Sequence, residues 1–402
     1  MRHPTQIRIC GDVGMEYKLE ELFDLQMGKT PSRNNSDYWN TKDNKWISIA
    51  DLSKCGKYIG ETKEYISDDA VENSGISKIP ANTVVMSFKL SIGKTAITAE
   101  DMYSNEAIMS FHDKHIVNLT PEYIYYLLLA HDWTDGTNKA VMGKTLNKAT
   151  LSKVKVNIHS SEEQAKIVAC LNSVASMISA RQRQLEKLDD LVKARFVELF
   201  GDAEFNTMQW PTKKLSELCN VGSSKRIYQS EQCAEGVPFL RISDLNERID
   251  NVKNTPELFI PTTKYNELKG ADLVPTAGDI LLTSRGTLGR CYIVRQEDEF
   301  YFQDGMISWL SDLNNQITSV YLSQLFAMPG IQKQIASLQA GSTVAYLSIS
   351  MLKKLNIMLP PFDRQKQFSA FVQQTDKSKA VIQKALDEAQ LLFDSLMQQY
   401  FG

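Results

Sequence analysis

The chain repeats itself. Lys18-Leu19 and Glu21-Leu22 recur as Lys214-Leu215 and Glu217-Leu218, an offset of 196 residues. Trp46-Ile47-Ser48-Ile49-Ala50-Asp51-Leu52 recurs as Phe239-Leu240-Arg241-Ile242-Ser243-Asp244-Leu245. Val84-Val85-Met86-Ser87 with Gly93-Lys94 recurs as Ile280-Leu281-Leu282-Thr283 with Gly289-Arg290. Tyr123-Ile124 and Leu127 match Tyr321-Leu322 and Leu325, and Gly143 and Thr145 match Gly341 and Thr343. Leu185, Phe200 and Gly201 match Leu386, Phe401 and Gly402 at an offset of 201. The offset drifts only between 193 and 201 and the order never changes, so the chain is a tandem duplication. Its 402 residues suit two or more domains.

Each copy opens with a mixed globular part. β-branched and aromatic runs at Trp46–Ile49, Thr83–Phe88, Phe239–Ile242 and Asp279–Thr283 predict strands. Helices are predicted at Pro121–Ala130 and Ser319–Ala327, which makes the globular part α+β. Each copy closes with a long helix. Glu162 to Phe200 holds no Pro or Gly over 39 residues, roughly 58 Å of helix at about 1.5 Å per residue. Ser160-Ser161 offers an N-cap, and Glu162 and Glu163 suit the first turn. Its seam is Ile167, Leu171, Val174, Ile178, Arg181, Leu185, Leu188, Val192, Arg195 and Leu199, stepping by four and three as a heptad does. The second helix continues the phase through Phe368, Val372, Thr375, Lys379, Ile382, Leu386, Ala389, Phe393, Leu396 and Tyr400. Thr375 and Lys379 are its polar exceptions. Two such seams predict helices that pack on each other as a coiled coil. Chain connectivity then requires them to run antiparallel, giving a rod with a globular arm at each end and a pseudo-two-fold axis. The expected divisions are 1–160, 161–203, 204–361 and 362–402.

Composition narrows the function. A hydrophobic share of 43% and a charged share of 23% are those of an ordinary globular protein. No apolar run approaches the ~18 residues of a membrane span, and Met1 to Gly14 lacks the apolar core of a signal peptide. Cys10, Cys55, Cys170, Cys219, Cys233 and Cys291 form no C-x-x-C pair and read as reduced thiols of a cytoplasmic protein. A net charge of −3 and a pI near 6.1 mean that any nucleic-acid contact must rest on a local basic groove.

Catalytic signatures are missing. Gly28-Lys29-Thr30, Gly93-Lys94-Thr95 and Gly143-Lys144-Thr145 each lack the earlier glycine of a P-loop, since Phe23, Phe88 and Asn138 stand there. Gly286 and Gly289 form a bare G-x-x-G. Leu359-Pro360-Pro361-Phe362 lacks the Asn or Asp of an amino-methyltransferase and reads as the end of a strand before a helix. His112 and His115 read as a solvated loop rather than a metal site. No nucleophile or acid cluster stands out. The expectation is a reader or scaffold with no catalytic residue, no metal and no cofactor of its own.

Three segments carry a resemblance. They are Gly28-Lys29-Thr30-Pro31-Ser32-Arg33 with Tyr38-Trp39, then Asp279 to Arg290, and Ile357-Met358-Leu359-Pro360-Pro361-Phe362-Asp363-Arg364-Gln365. Together they resemble the specificity subunits of type I restriction–modification systems. The likeness covers nearly the whole chain beyond about Gly14, in the family's order of domain, helix, domain, helix. Ile158-His159-Ser160-Ser161 departs from the family's Pro-Pro pair, and Gly222-Ser223-Ser224-Lys225-Arg226 departs from its G-x-T-P form.

The resemblance implies two target recognition domains, each reading one half of a split site in double-stranded DNA. It implies that the helices set the spacing and dock two modification (methyltransferase) subunits and two restriction–translocase subunits. S-adenosylmethionine, ATP and Mg would belong to those partners. The DNA-contact candidates are Lys29, Arg33, Lys89 and Lys94 in the first domain and Lys225, Arg226, Arg241, Arg285 and Arg290 in the second. Arginine suits bidentate contacts to guanine and lysine suits phosphate. A rival reading is an architectural rod bearing two protein-interaction domains. A fused restriction–modification enzyme would instead need its methyltransferase motif within the chain.

Overall fold

A computed structural model describes residues 14–89, 91–133, 146–251, 256–339 and 345–402. The third Gly-Lys-Thr, its counterpart Gly341 to Thr343, and Cys10 lie outside the described residues. The chain divides into two compact units. One comprises 1–181 with 385–402, and the other comprises 182–384.

The first unit contains β1 (Met15–Lys18), α1 (Leu19–Leu22), β2 (Phe23–Met27), β3 (Asn44–Ile47), α2 (Ile49–Leu52), β4 (Tyr58–Ile59), β5 (Glu64–Ile66), α3 (Asp68–Ser74), β6 (Val84–Ser87), β7 (Thr95–Thr98), β8 (Tyr103–Ser104), β9 (Ile108–Asp113), α4 (Pro121–Ala130), α5 (Lys148–Ser152), β10 (Lys155–Ile158) and the start of α6 (Ser161–Phe200). The second unit contains the end of α6, then β11 (Thr212–Lys214), β12 (Asn220–Gly222), β13 (Val237–Leu240), α7 (Ile242–Ile249), β14 (Phe259–Ile260), α8 (Thr262–Gly270), β15 (Ile280–Thr283), β16 (Cys291–Ile293), β17 (Tyr301–Phe302), β18 (Ile307–Ser311), α9 (Ser319–Ala327), α10 (Pro329–Leu338), α11 (Ile349–Lys353), β19 (Asn356–Met358) and the start of α12 (Phe362–Phe401). The last part of α12 returns to the first unit.

The duplication reappears as topology. The central sheet runs β2-β9-β6-β7-β4 in the first unit and β12-β18-β15-β16 in the second. The order β5-β3-β8 has its counterpart in β14-β13-β17, and the pair β1-β10 in β11-β19. In both copies the three-stranded sheet combines one antiparallel and one parallel pairing. The helix that follows is capped by Thr120 in one unit and Thr318 in the other, each accepting the amide three residues on.

The predicted strands Trp46–Ile49 and Phe239–Ile242 need correction at one end. Both stop at the residue before Ser48 or Arg241, and Ile49 and Ile242 open α2 and α7. The cause is the carboxylate three residues after the turn. Asp51 accepts the Ser48 amide at 2.9 Å, and Asp244 accepts the Arg241 amide at 2.8 Å. That bond satisfies a free amide and favours a helical start over a longer strand.

In the first unit the largest core joins β2, β6 and β9 to α4, to Ile167 and Leu171 of α6, and to Met397 of α12. In the second unit it joins β15 and β18 to α9, to Val192, Phe196 and Phe200 of α6, and to Phe368 and Val372 of α12.

Candidate nucleic-acid interface

The hairpin after β6 and the hairpin after β15 are built alike. The Ser87 hydroxyl donates to the Ser91 carbonyl and accepts the Lys94 amide at 3.1 Å. The Thr283 hydroxyl donates to the Thr287 carbonyl at 2.5 Å and accepts the Arg290 amide at 3.0 Å. Gly93 and Gly289 return their amides to the Ser87 and Thr283 carbonyls, both at 2.9 Å. Their φ values of 87° and 76° lie where a side chain is strained. A Cβ on Gly93 would also stand 2.9 Å from the Trp133 ring. Each tip is backed by a later segment, through Leu146 N to Phe88 O at 3.1 Å and Leu347 N to Ser284 O at 2.9 Å. Lys89 and Arg285 therefore occupy the same place in the two units. The Lys89 ammonium lies 5.3 Å from the Phe88 ring centroid, and the exposed Arg285 guanidinium lies 5.2 Å from that of Tyr346.

The other candidates fall into two groups. Lys94 and Lys225 are exposed and form no direct ion pair among the described residues, although Lys225, after the Tyr228 amide and Lys264, helps hold the Glu231 carboxyl below its usual range. The rest are held within their units. Lys29 donates to the Ser74 carbonyl at the end of α3. Arg33 forks onto Glu64 at 2.5 and 3.1 Å and lies 3.6 Å from the Trp39 centroid. Arg226 pairs with Asp304 at 2.9 Å. Arg241 meets Glu257 at 2.8 Å and Asp244 at 3.3 Å. Arg290 meets Asn246 at 2.8 Å and forks onto Asp250. The charges of Arg33 and Lys89 both reach one acid, Glu106. A hydrogen bond from the Thr30 hydroxyl, with the charges of Lys89 and Arg33 behind it, holds the Glu106 carboxyl below its usual range.

The long helices meet in antiparallel register in the second unit. There the Arg364 guanidinium donates to the Leu199 carbonyl at 3.3 Å, Phe196 meets Phe368 at 5.5 Å, and Lys379 pairs with Asp189 at 2.6 Å. The sum of the paired numbers stays nearly constant, as it must for opposed helices. In the first unit the end of α12 packs along the short helix α4, where Tyr123 meets Phe401 and Tyr126, one turn on, meets Phe393. Ile167, Leu171, Val192, Phe368 and Val372 are buried in these cores. Ile178, Leu185, Leu199, Ile382, Leu386, Phe393 and Leu396 are half-buried. Lys379, polar in the seam, finds its anion in Asp189, and the Thr375 hydroxyl returns to the Phe371 carbonyl at 3.0 Å.

Some anchors lie off the seam. Phe196 and Phe200, fully buried, sit beside Arg195 and Leu199 and grip Tyr321 at 5.6 and 4.8 Å. Phe401 does the same at Tyr123, at 5.6 Å. Gln164 and Gln365, 201 residues apart, are buried, and each amide donates to two carbonyls at 2.9 to 3.0 Å. Their repetition at that offset was the available signal.

His112 is not a loop residue. It lies in β9 with its Nε2 2.9 Å from the Ser110 hydroxyl, and burial pulls its pKa below the ordinary imidazole value. His115 follows the strand with a left-handed φ of 57°, its Nδ1 3.2 Å from Asp113. Among the described residues no group of three His, Cys, Asp or Glu is disposed to hold a metal ion.

Comparison with known proteins agrees with this duplicated plan. The family model described as the type I restriction modification DNA specificity domain matches twice, over residues 13–189 and 208–390. The specificity subunit of type I restriction enzyme MjaIX of Methanocaldococcus jannaschii is 24% identical over 382 residues, covering 89% of this chain and 85% of that protein. The crystal structure of the type I restriction–modification S subunit from M. genitalium superposes with a TM-score of 0.56 at 17% identity, over 99% of this chain and 98% of its own. A chain from a study of complex assembly and conformational transition in the type I R-M system gives 0.55 at 14% identity, over 98% of both. With both copies matched, the chain belongs to the type I restriction–modification DNA specificity family, the non-catalytic, DNA-recognising subunits of those systems.

Proposed function

We propose that each unit reads one half of an interrupted DNA site and that the paired helices fix the spacer and seat two methyltransferase and two restriction–translocase subunits. One observation carries this reading. The two units keep the order of their matching strands, the Thr120 and Thr318 helix caps and the hairpin staple, yet differ in the side chains at the hairpin tips. What is kept is scaffold. What differs is what would meet different bases. The nine cations named above form the DNA-facing set, with Lys94 and Lys225 as phosphate contacts. S-adenosylmethionine, ATP and Mg belong to the partner subunits, and the chain acts in the cytoplasm, where its DNA is.

Single-molecule sequencing of DNA from the source cell tests the reading. The expected outcome is an adenine-methylated motif of two short halves and a fixed spacer. One uninterrupted motif would overturn it. The purified chain given labelled S-adenosylmethionine and DNA should transfer no methyl group.

A further inference from the structure

We infer that the two stapled hairpin tips are matched base-reading elements, with Arg285 and Lys89 each reading a guanine edge at the equivalent position of the two half-sites. The inference rests on the two-arm reading above and sharpens it. Three observations support it. First, the tips are superimposable in their bonding. A buried hydroxyl, Ser87 or Thr283, spans the loop in each, and a later segment backs the same residue in each, Phe88 or Ser284. A loop held from both sides presents its tip without paying out conformational entropy on binding.

Second, the arginines of the second unit differ in what their donors are doing. Carboxylates of the same unit engage Arg226, Arg241 and Arg290. Arg285 is exposed, and its guanidinium makes no hydrogen bond to a side chain among the described residues. The Tyr346 ring fixes where that guanidinium sits and leaves the donor fork open. A guanidinium with its fork open suits the O6 and N7 acceptors of guanine in the major groove. Third, the first unit offers a cation at the same place, Lys89, poised over Phe88. Lysine can donate to the same two acceptors. Arg33, Arg226, Arg241 and Arg290, with donors already engaged by carboxylates, then add positive charge to the DNA-facing set and leave base reading to the two tips.

The test is selection of bound sequences from a random duplex library by the full chain, purified with its modification partner. Wild type should select a split motif. Arg285→Ala should relax one base pair of one half, with discrimination there falling about 5- to 150-fold. The rest of that half and the whole of the other half should be unchanged. Lys89→Ala should relax one base pair of the opposite half. Arg285→Lys should keep the preference for guanine at reduced strength. Unchanged motifs beside uniformly weaker binding would make both residues phosphate contacts and overturn the inference, leaving the two-arm reading intact. A wild-type chain that selects no motif would overturn both.

Discussion

Thr283 shows what one hydroxyl does here. It is fully buried and satisfies the Arg290 amide and the Thr287 carbonyl together. Thr283→Val keeps the volume and removes both bonds, leaving buried polar groups unpaired, which costs about 1–3 kcal/mol. Urea unfolding should show that loss, and Thr283→Ser, the residue the first unit carries at Ser87, should recover most of it. His159 is a second informative residue. Burial favours its neutral form, so its folded pKa lies below the ordinary 6.5 of the unfolded chain. The unfolded chain then binds more protons between those two values. This contribution is complete above about pH 6.5 and is lost as pH falls toward the folded value. Its Nδ1 stands 2.7 Å from the Tyr123 hydroxyl, and Glu163 opposes the shift. His159→Asn should flatten the fall in stability as pH drops below about 6.5. An unaltered slope would remove His159 from the account. The sequence displays such residues but not their partners. Arg290 finds Asp250 across 40 residues, and nothing local marks the pair.

At the scale of elements, the helix ends anchor the core within each unit. Phe200 is fully buried against Tyr321 and Phe368, whereas Phe401, its repeat equivalent at Tyr123, is half-buried. Phe200→Ala should cost about 3–5 kcal/mol, and Phe401→Ala should cost less. Val381→Ser, at 71% exposure, should stay within about 0.5 kcal/mol. Thermal melts of the three variants give the order, and equal losses would contradict these burials. The heptad itself was legible, since spacing alone reveals a seam. Phe196 and Phe200 were not, because a seam describes one face and the last turns of α6 bury two. Strand interiors were legible for the same reason of periodicity. Strand ends at Ile47 and Leu240 were not, because a capping aspartate decides them.

For the molecule as a whole, the repeat makes the halves interchangeable in principle. Residues 1–201 hold one complete arm and helix. In a pair of such chains, Phe200 of one copy has Tyr123 of the other to grip, as Phe401 has now. Arg181 and Arg195 would then stand where α12 carries Ile382 and Leu396, which opposes pairing. Light scattering should find the half-length chain poorly paired, and Arg181→Ile with Arg195→Leu should yield a dimer. With its modification partner, that dimer should methylate an interrupted palindrome, since a two-fold protein reads a two-fold site. A stable dimer that marked a non-palindromic site would sink the symmetry argument.

The division of α12 between the units also orders the protein's own synthesis. Residues 182–384 leave the ribosome as one unbroken stretch, but the first unit cannot close until 385–402 arrive with Met397 and Phe401. At about 5–20 residues per second, roughly 200 further residues take about 10–40 s. Through that interval the part made first waits with the apolar bed around Tyr123 and Ile167 uncovered. It is the older half of the nascent chain, not the younger, that a chaperone must guard, and a ribosome that stops short of residue 385 leaves the beginning of the protein unfinished.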